Sequence, residues 1–501
     1  KDGFFYSAYE APTGEVLKGK NEFQKVFYHK LGTKQSEDKL VYENKQKPEE
    51  IYGAAVTDDE KYLLLYVYEG SARHNLLYYK DLQKDSKFIP LVDKFEATFS
   101  AIGNVGSELF MLTDKNAPNY TIEKWNLNDL SDKKTIIPNK NEVIDGTSLI
   151  DGRLIVTYMK DAQNITEVYG LDGKKLFDVP LPGIGSVSGF GGKQEDKEVF
   201  FSFTSFTVPS SIWLYKVAEN KVELFRESKL KFDASQFESK QIFYKSKDGT
   251  EIPMFIVHKK GLKPDGKAPT MLYAYGGFNA SMTPGFRLSI IPLLESGGVY
   301  AMACLRGGGE YGKNWHEAGM LEKKQNVFDD FIAGAEYLIK SGYTTPEKLA
   351  INGGSNGGLL VGAVMLQRPD LCKVAIPQVG VLDMLRFHKF TIGWAWVSEY
   401  GSSDNKDQFE FLIKYSPLHN VKKGVTYPAT LITTADHDDR VFPAHSFKFA
   451  AELQAKASTK NPVILRVTTK AGHGAGKSTS QTIEELADIY GFFFYNVGVN
   501  Y

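Results

Sequence analysis

The chain has 501 residues, with 60 Lys+Arg against 61 Asp+Glu and a formal charge of −1. At ~100–200 residues per domain this length asks for two or three domains. The balanced charge excludes a net basic field that would hold nucleic acid or an anionic membrane face, so a neutral or small partner is expected.

Residues 1–232 read as short, alternating, aromatic-rich strands between polar turns. Examples are Lys61–Tyr68, Asn75–Lys80, Glu108–Thr113, Arg153–Met159, Glu198–Phe203 and Ser211–Lys216. Apolar strands beginning near Phe4, Tyr62, Leu109, Leu154 and Val199 recur at intervals of about 45–58 residues, close to the ~40–50 of a four-stranded propeller blade. The expectation is a β-propeller of about five blades, with a β-sandwich as the alternative.

From about Gln241 the texture changes. A hairpin, Gln241–Tyr244 and Ile252–Val257, leads into strands at Thr270–Tyr275, Val299–Leu305, Lys348–Asn352, Val374–Gln378, Ala429–Thr434 and Val463–Thr469. Helical apolar spacing fills Asn326–Lys340, Gly357–Gln367, Ala444–Lys456 and Thr479–Phe494. Alternating β and α elements specify a mostly parallel sheet covered on both faces, so residues 233–501 are expected to form an α/β domain. Cys304 and Cys372 lie in apolar runs and read as buried free thiols. No apolar run reaches the ~18 residues of a membrane span.

Gly353-Gly354-Ser355-Asn356-Gly357 fits G-x-S-x-G between a strand and a helix, the context of a nucleophile elbow. The turn is so tight that side chains two places either side of the serine would collide with neighbours, while the next N–H, that of Asn356, points at a developing oxyanion. A serine needs a base, and in this fold acid and base follow in the order Ser, Asp, His. After the strand Ala429–Thr434 come Asp436, Asp438 and Asp439, among which the pattern does not choose. After Val463–Thr469 comes His473 in a glycine-flanked loop; His419, His437 and His445 read as surface or structural residues.

Two other glycine-rich runs mimic phosphate-binding motifs. Gly307–Gly312 satisfies G-x-G-x-x-G, but at least two strands precede it, where a dinucleotide fold wants this turn on its first strand. Ala471–Ser478 approximates a P-loop, but too few residues follow for a nucleotide domain. His316-Glu317 lacks the second histidine of a zinc helix. Neither cofactor nor metal is expected.

The α/β half resembles the prolyl oligopeptidase family nearly from end to end. The likeness is carried by Tyr273-Ala-Tyr-Gly-Gly-Phe-Asn279, Arg306-Gly-Gly-Gly-Glu-Tyr-Gly312, Asn352-Gly-Gly-Ser-Asn-Gly-Gly358, Asp436-His-Asp-Asp-Arg-Val441 and Ala471-Gly-His-Gly-Ala-Gly-Lys477. The propeller half is similar too, less densely, at Leu31–Asp38 and Thr204–Phe206. The resemblance implies a serine peptidase with Ser355 as nucleophile, His473 as base and Asp438 as the acid. It places the oxyanion donors on the Tyr275 hydroxyl and the Asn356 N–H. Arg440 would hold a substrate carbonyl, and Phe278, Val381, Trp396, Tyr400 and Val441 would form a proline pocket with Trp396 as its flat surface. An apolar aromatic slot suits a ring without a hydrogen-bond donor.

The implied substrates are short proline-containing peptides, because in the family the propeller caps the site and excludes folded proteins. A sister oligopeptidase that cuts after basic residues is the nearest rival and would need acidic groups in the pocket. A propeller-based binding protein with a vestigial hydrolase half is the other, set against the presence of all three triad members. The family's propeller has seven blades, so two further blades and an N-terminal segment are expected upstream of Lys1, which would itself lie inside a blade. The protein is expected to be soluble and monomeric, cytoplasmic before periplasmic or secreted.

Overall fold

The computed structural model describes residues 2–9, 21–84, 86–474 and 476–499. Lys1 and Ala475, which the sequence reading places in a blade and in the His473 motif, lie outside them. Among the described residues the first part of the chain forms five consecutive antiparallel sheets. The first has three strands (Gly3–Ala8, Lys25–Lys30, Lys39–Tyr42), and the other four have four strands each, within residues 50–92, 99–137, 143–178 and 186–226. The alternation seen in the sequence is what lets each sheet bury a face against the next. Leu64 and Leu77 pack on Phe99, Leu109 and Trp125, Phe110 and Ile122 on Leu154 and Val156, and Ile155 and Val168 on Phe201 and Tyr215. Each large side chain so buried contributes on the order of 1.5–3 kcal/mol. The sheets are held face to face by side chains, as blades of a propeller are.

The rest of the chain builds one eight-stranded sheet. Its strands are β1 (Phe237–Lys245), β2 (Glu251–Lys259), β3 (Thr270–Tyr273), β4 (Val299–Ala303), β5 (Leu349–Gly354), β6 (Val374–Gln378), β7 (Ala429–Ala435) and β8 (Val463–Thr468), in spatial order 1-2-4-3-5-6-7-8. β2 pairs antiparallel with both β1 and β4, and β3 to β8 run parallel. The principal helices are α1 (Gln325–Lys340), α2 (Asn356–Gln367), α3 (Ala444–Lys456) and α4 (Thr479–Val497). Successive strand residues point to opposite faces. Leu272, Ile351 and Ile432 therefore join Phe328, Leu360 and Phe449 on one face, while Met271, Ala350 and Leu431 join Ile489 and Phe493 of α4 on the other. Burial on both faces explains why these strands read as continuous apolar runs.

The propeller sits over the loops that leave the carboxyl ends of the parallel strands. Ser186 Oγ donates to the Pro284 carbonyl at 2.6 Å and Tyr311 Oη to Asp161 Oδ1 at 3.1 Å. The Lys313 N–H donates to the Pro118 carbonyl at 2.9 Å. The Ala395 carbonyl accepts from both the N–H and the hydroxyl of Ser71, at 2.8 and 2.7 Å. Beside it Gly70 turns with φ +57°, and a Cβ there would stand 2.8 Å from the same carbonyl. Among the described residues no helix is long and apolar enough to cross a membrane.

Candidate active site

Ser355 stands between β5 and α2 with φ 58° and ψ −117°, a strained backbone for a residue with a side chain. Its N–H is fixed by the Gln378 carbonyl at 2.9 Å. The glycines two places away are required by contact. A Cβ on Gly353 would collide with the Gly357 carbonyl, and one on Gly357 would stand 2.7 Å from the Ala274 carbonyl. The elbow therefore projects Ser355 from the end of the sheet, with Asn356 at the first position of α2, where backbone N–H groups have no partner within the helix.

His473, from the loop after β8, lies with Nε2 3.1 Å from Ser355 Oγ and Nδ1 2.6 Å from Asp438 Oδ2. The ionised carboxylate can only accept, so it takes a hydrogen bond from Nδ1–H, which leaves Nε2 unprotonated toward the serine hydroxyl. Asp438 is 0 % exposed, and its Oδ1 accepts the N–H groups of Arg440 at 3.1 Å and Val441 at 2.8 Å. Of the three acids that the sequence left open, Asp438 is the one brought to His473. Asp436 instead pairs with His437 at 2.6 Å, and Asp439 is exposed.

The strand expected to run through Tyr275 ends at Tyr273, and the following residues turn away as a loop. Asn356 Nδ2 donates to the Tyr275 carbonyl at 2.6 Å, while Asn356 Oδ1 accepts from Tyr400 Oη at 2.8 Å. Burial raises the Tyr275 phenol above its ordinary range, opposed by the Arg440 charge and by a hydrogen bond with Ser355. The phenol thus keeps its proton beside the serine. Arg440 itself is exposed.

Val381, Trp396, Tyr400 and Val441 are buried in one apolar cluster, with Phe278 partly buried against it. Phe278 meets Tyr400 edge to face at 5.4 Å between ring centroids, and Trp396 stacks on Phe387 at 6.3 Å. Phe387 and the fully buried placement of Tyr400 were not in the sequence reading.

A charged group beneath this wall was also missed. Glu399 is 3 % exposed on its side chain and accepts from His316 Nε2 at 2.8 Å, with Lys324 Nζ 3.9 Å from its other oxygen. Burial would raise the Glu399 carboxyl. The His316 hydrogen bond, the nearby positive charges and the Phe278 N–H outweigh it and hold the group below its usual range. Burial pulls the Lys324 ammonium down to about 8 in spite of Glu399. The only sequence signal here was His316-Glu317, weighed as half a zinc site. Its partner lies 83 residues away. Among the described residues no three His, Cys, Asp or Glu side chains gather as a metal site. The glycine-rich 307–312 turn braces the neighbouring loop, its Gly307 carbonyl accepting the Asn279 N–H at 3.0 Å.

An elbow serine at the carboxyl end of a mostly parallel eight-stranded sheet, beneath antiparallel blades, defines an α/β hydrolase joined to a β-propeller. Residues 284–500 match the model of the prolyl oligopeptidase family, and residues 1–228 match that of the prolyl oligopeptidase N-terminal β-propeller domain. The chain is 48 % identical over 502 residues to the prolyl endopeptidase of Elizabethkingia meningoseptica, covering 99 % of this chain and 71 % of that protein. It is 43 % identical over 534 residues to that of Dictyostelium discoideum, covering 100 % and 70 %.

Among solved structures, one from a study of two prolyl endopeptidases superposes with a TM-score of 0.96 at 41 % identity, over 100 % of this chain and 74 % of that one. Prolyl oligopeptidase B of Galerina marginata, bound to a 35mer hydrolysis and macrocyclization substrate, gives 0.96 at 36 % identity, over 100 % and 71 %. The chain belongs to the prolyl oligopeptidase family. It is a serine peptidase.

Proposed function

We propose that the protein cleaves short peptides on the carboxyl side of proline through an acyl-enzyme. The observation that carries this is the unbroken hydrogen-bonded line from Asp438 through His473 to Ser355, and the apolar cluster that includes Trp396, Tyr400 and Phe278 supports the choice of proline. Ser355 Oγ attacks the carbonyl carbon while His473 Nε2 takes its proton, and Asp438 fixes the tautomer and stabilises the imidazolium. The carbonyl oxygen, now negative, is met by the Tyr275 hydroxyl and the Asn356 N–H. His473 then gives its proton to the departing amine, and water releases the acyl group by the same sequence. Arg440 is assigned to the carbonyl of a residue preceding the proline.

Phe278, Val381, Trp396, Tyr400 and Val441 offer the ring shape and apolar contact without a charge. The carboxylate next to Tyr400, Glu399, has its oxygens turned to Phe278 and His316. That argues against the rival preference for basic residues, which needs an acid free to face the substrate. Residues 1–232 and 233–501 are read as the two domains. The reading further takes the protein as a monomer, cytoplasmic before periplasmic or secreted, and, on the strength of its balanced charge, as one that binds neither nucleic acid nor membrane.

A cleavage profile over a short-peptide library tests the assignment. Cuts should follow proline, more weakly alanine, and not arginine; preferred cutting after arginine would move the protein to the rival group. Trp396→Ala should lower kcat/KM for proline substrates by the equivalent of ~1–3 kcal/mol, the scale of one apolar partner in a specificity pocket. Tyr275→Phe should lower kcat by ~10²–10³, the loss typical of one oxyanion donor, with a smaller change in KM.

A further inference from the structure

The loop from Tyr275 to Phe278 lies beyond the end of β3, yet side chains from three distant segments bond its backbone. The Tyr275 carbonyl accepts from Asn356 Nδ2 at 2.6 Å, the Gly276 carbonyl from Lys324 Nζ at 2.8 Å, and the Phe278 N–H donates to Glu399 Oε1 at 2.9 Å. Phe278 is held at φ 55°, a conformation that a bulky residue keeps only where its surroundings over-determine it.

Two of these three holders form an ion pair with side chains 1 % and 3 % exposed. Taking both charges out of water costs more than well-packed apolar residues of the same size, so such a pair is a poor device for stability alone. Here the ammonium and the carboxylate each spend a bond on the same short loop. One end of that loop carries the Tyr275 hydroxyl and the other carries the Phe278 ring. Glu399 is also the residue before Tyr400, whose hydroxyl holds Asn356.

We propose that Lys324 and Glu399 are positioning residues for the peptidase reaction, a single buried ion pair that sets both the oxyanion hydroxyl of Tyr275 and the pocket wall of Phe278. The proposal deepens the reading above and rests on its assignment of Tyr275 as an oxyanion donor. Lys324 acts on the transition state through Tyr275, and Glu399 acts on side-chain selection through Phe278. Losing either should therefore change rate and selectivity together, where an ordinary packing defect would only lower the amount of folded enzyme.

A double-mutant cycle separates these cases. Parent, Lys324→Met, Tyr275→Phe and the double variant are compared by the turnover of a proline peptide per competent site, with sites counted by the endpoint of fluorophosphonate labelling so that misfolded material drops out. Lys324→Met is expected to slow turnover by ~10²-fold in the parent, the cost of a modest misplacement of a reacting group. In the Tyr275→Phe background it should slow turnover hardly at all, because the hydroxyl it positions is gone. The kcat/KM ratio of proline over alanine substrates should narrow in Lys324→Met.

Equal losses in both backgrounds, or an unchanged selectivity ratio, would overturn the positioning role and leave the oxyanion assignment standing. A Tyr275→Phe enzyme as fast as the parent would overturn that assignment and this proposal with it. If Lys324→Met labels no sites, Glu399→Gln takes its place in the cycle. It keeps an oxygen for the Phe278 N–H while it takes away the charge paired with Lys324 and the acceptor that faces His316, so the loss it shares with Tyr275→Phe reads the Lys324 side of the pair.

Discussion

Replacing Ser355 by alanine is expected to lower kcat by ~10⁶, the scale on which a single nucleophile knockout removes the whole cooperating unit. Substrate should still bind with nearly its original affinity, because Phe278, Trp396 and Val441, proposed above as the proline pocket, pack on other side chains and owe nothing to the serine hydroxyl. The backbone should also tolerate the change. Ser355 already occupies its strained turn with a Cβ, and alanine adds no atom there. A fluorophosphonate should label the parent at Ser355 alone and leave the variant unlabelled. Labelling of another serine, or undiminished turnover in the variant, would remove Ser355 from the mechanism.

The second large effect separates three neighbouring acids. Asp438→Asn should lower kcat by ~10⁴ without disturbing the fold. An asparagine can keep its oxygen on the N–H groups of Arg440 and Val441, as Asp438 Oδ1 does now, and then presents its NH₂ to His473 Nδ1. The imidazole must accept there, so its proton moves to Nε2, facing a hydroxyl from which it can no longer take one. Geometry survives and chemistry fails. Asp436→Asn and Asp439→Asn should change kcat little, since Asp436 is committed to His437 and Asp439 stands exposed. A loss as severe in either of those variants would refute the choice of Asp438.

The central strands of the hydrolase sheet were legible because burial on both faces writes them as near-continuous apolar runs bounded by glycines and polar turns. The four long helices were legible through their spacing. The single-turn helices Lys313–Glu317 and Val397–Tyr400 were not, since one turn carries no period. Helix Lys406–Tyr415 does carry one, and an Asn405 cap, but its apolar face is short and charged residues interrupt it. Within the site, Ser355 and His473 announce themselves by local glycine context.

Asp438 does not, because three carboxylates share one loop and only the return of β8 decides which of them meets the histidine. The Lys324–Glu399 pair was illegible for a stronger reason. Its partners come from segments far apart in the chain, and a buried lysine in a polar stretch looks the same as a solvated one until the fold closes over it.

The approach of Gly70 to the Ala395 carbonyl bears on how the two halves can change over generations. A methyl group at Gly70 would need the space that carbonyl occupies, and Ser71 beside it spends two donors on the same oxygen. Ala395 immediately precedes Trp396, so a shift of that carbonyl moves the residue proposed as the pocket's flat wall. The halves are therefore not interchangeable parts. A propeller transplanted from a relative with a bulkier residue at this turn would bind its new partner only by tilting Trp396, and the chimera would lose selectivity before it lost its fold. Substitutions at Gly70 and at the 395–396 backbone are tied to each other, although one belongs to a cap and the other to a catalytic domain.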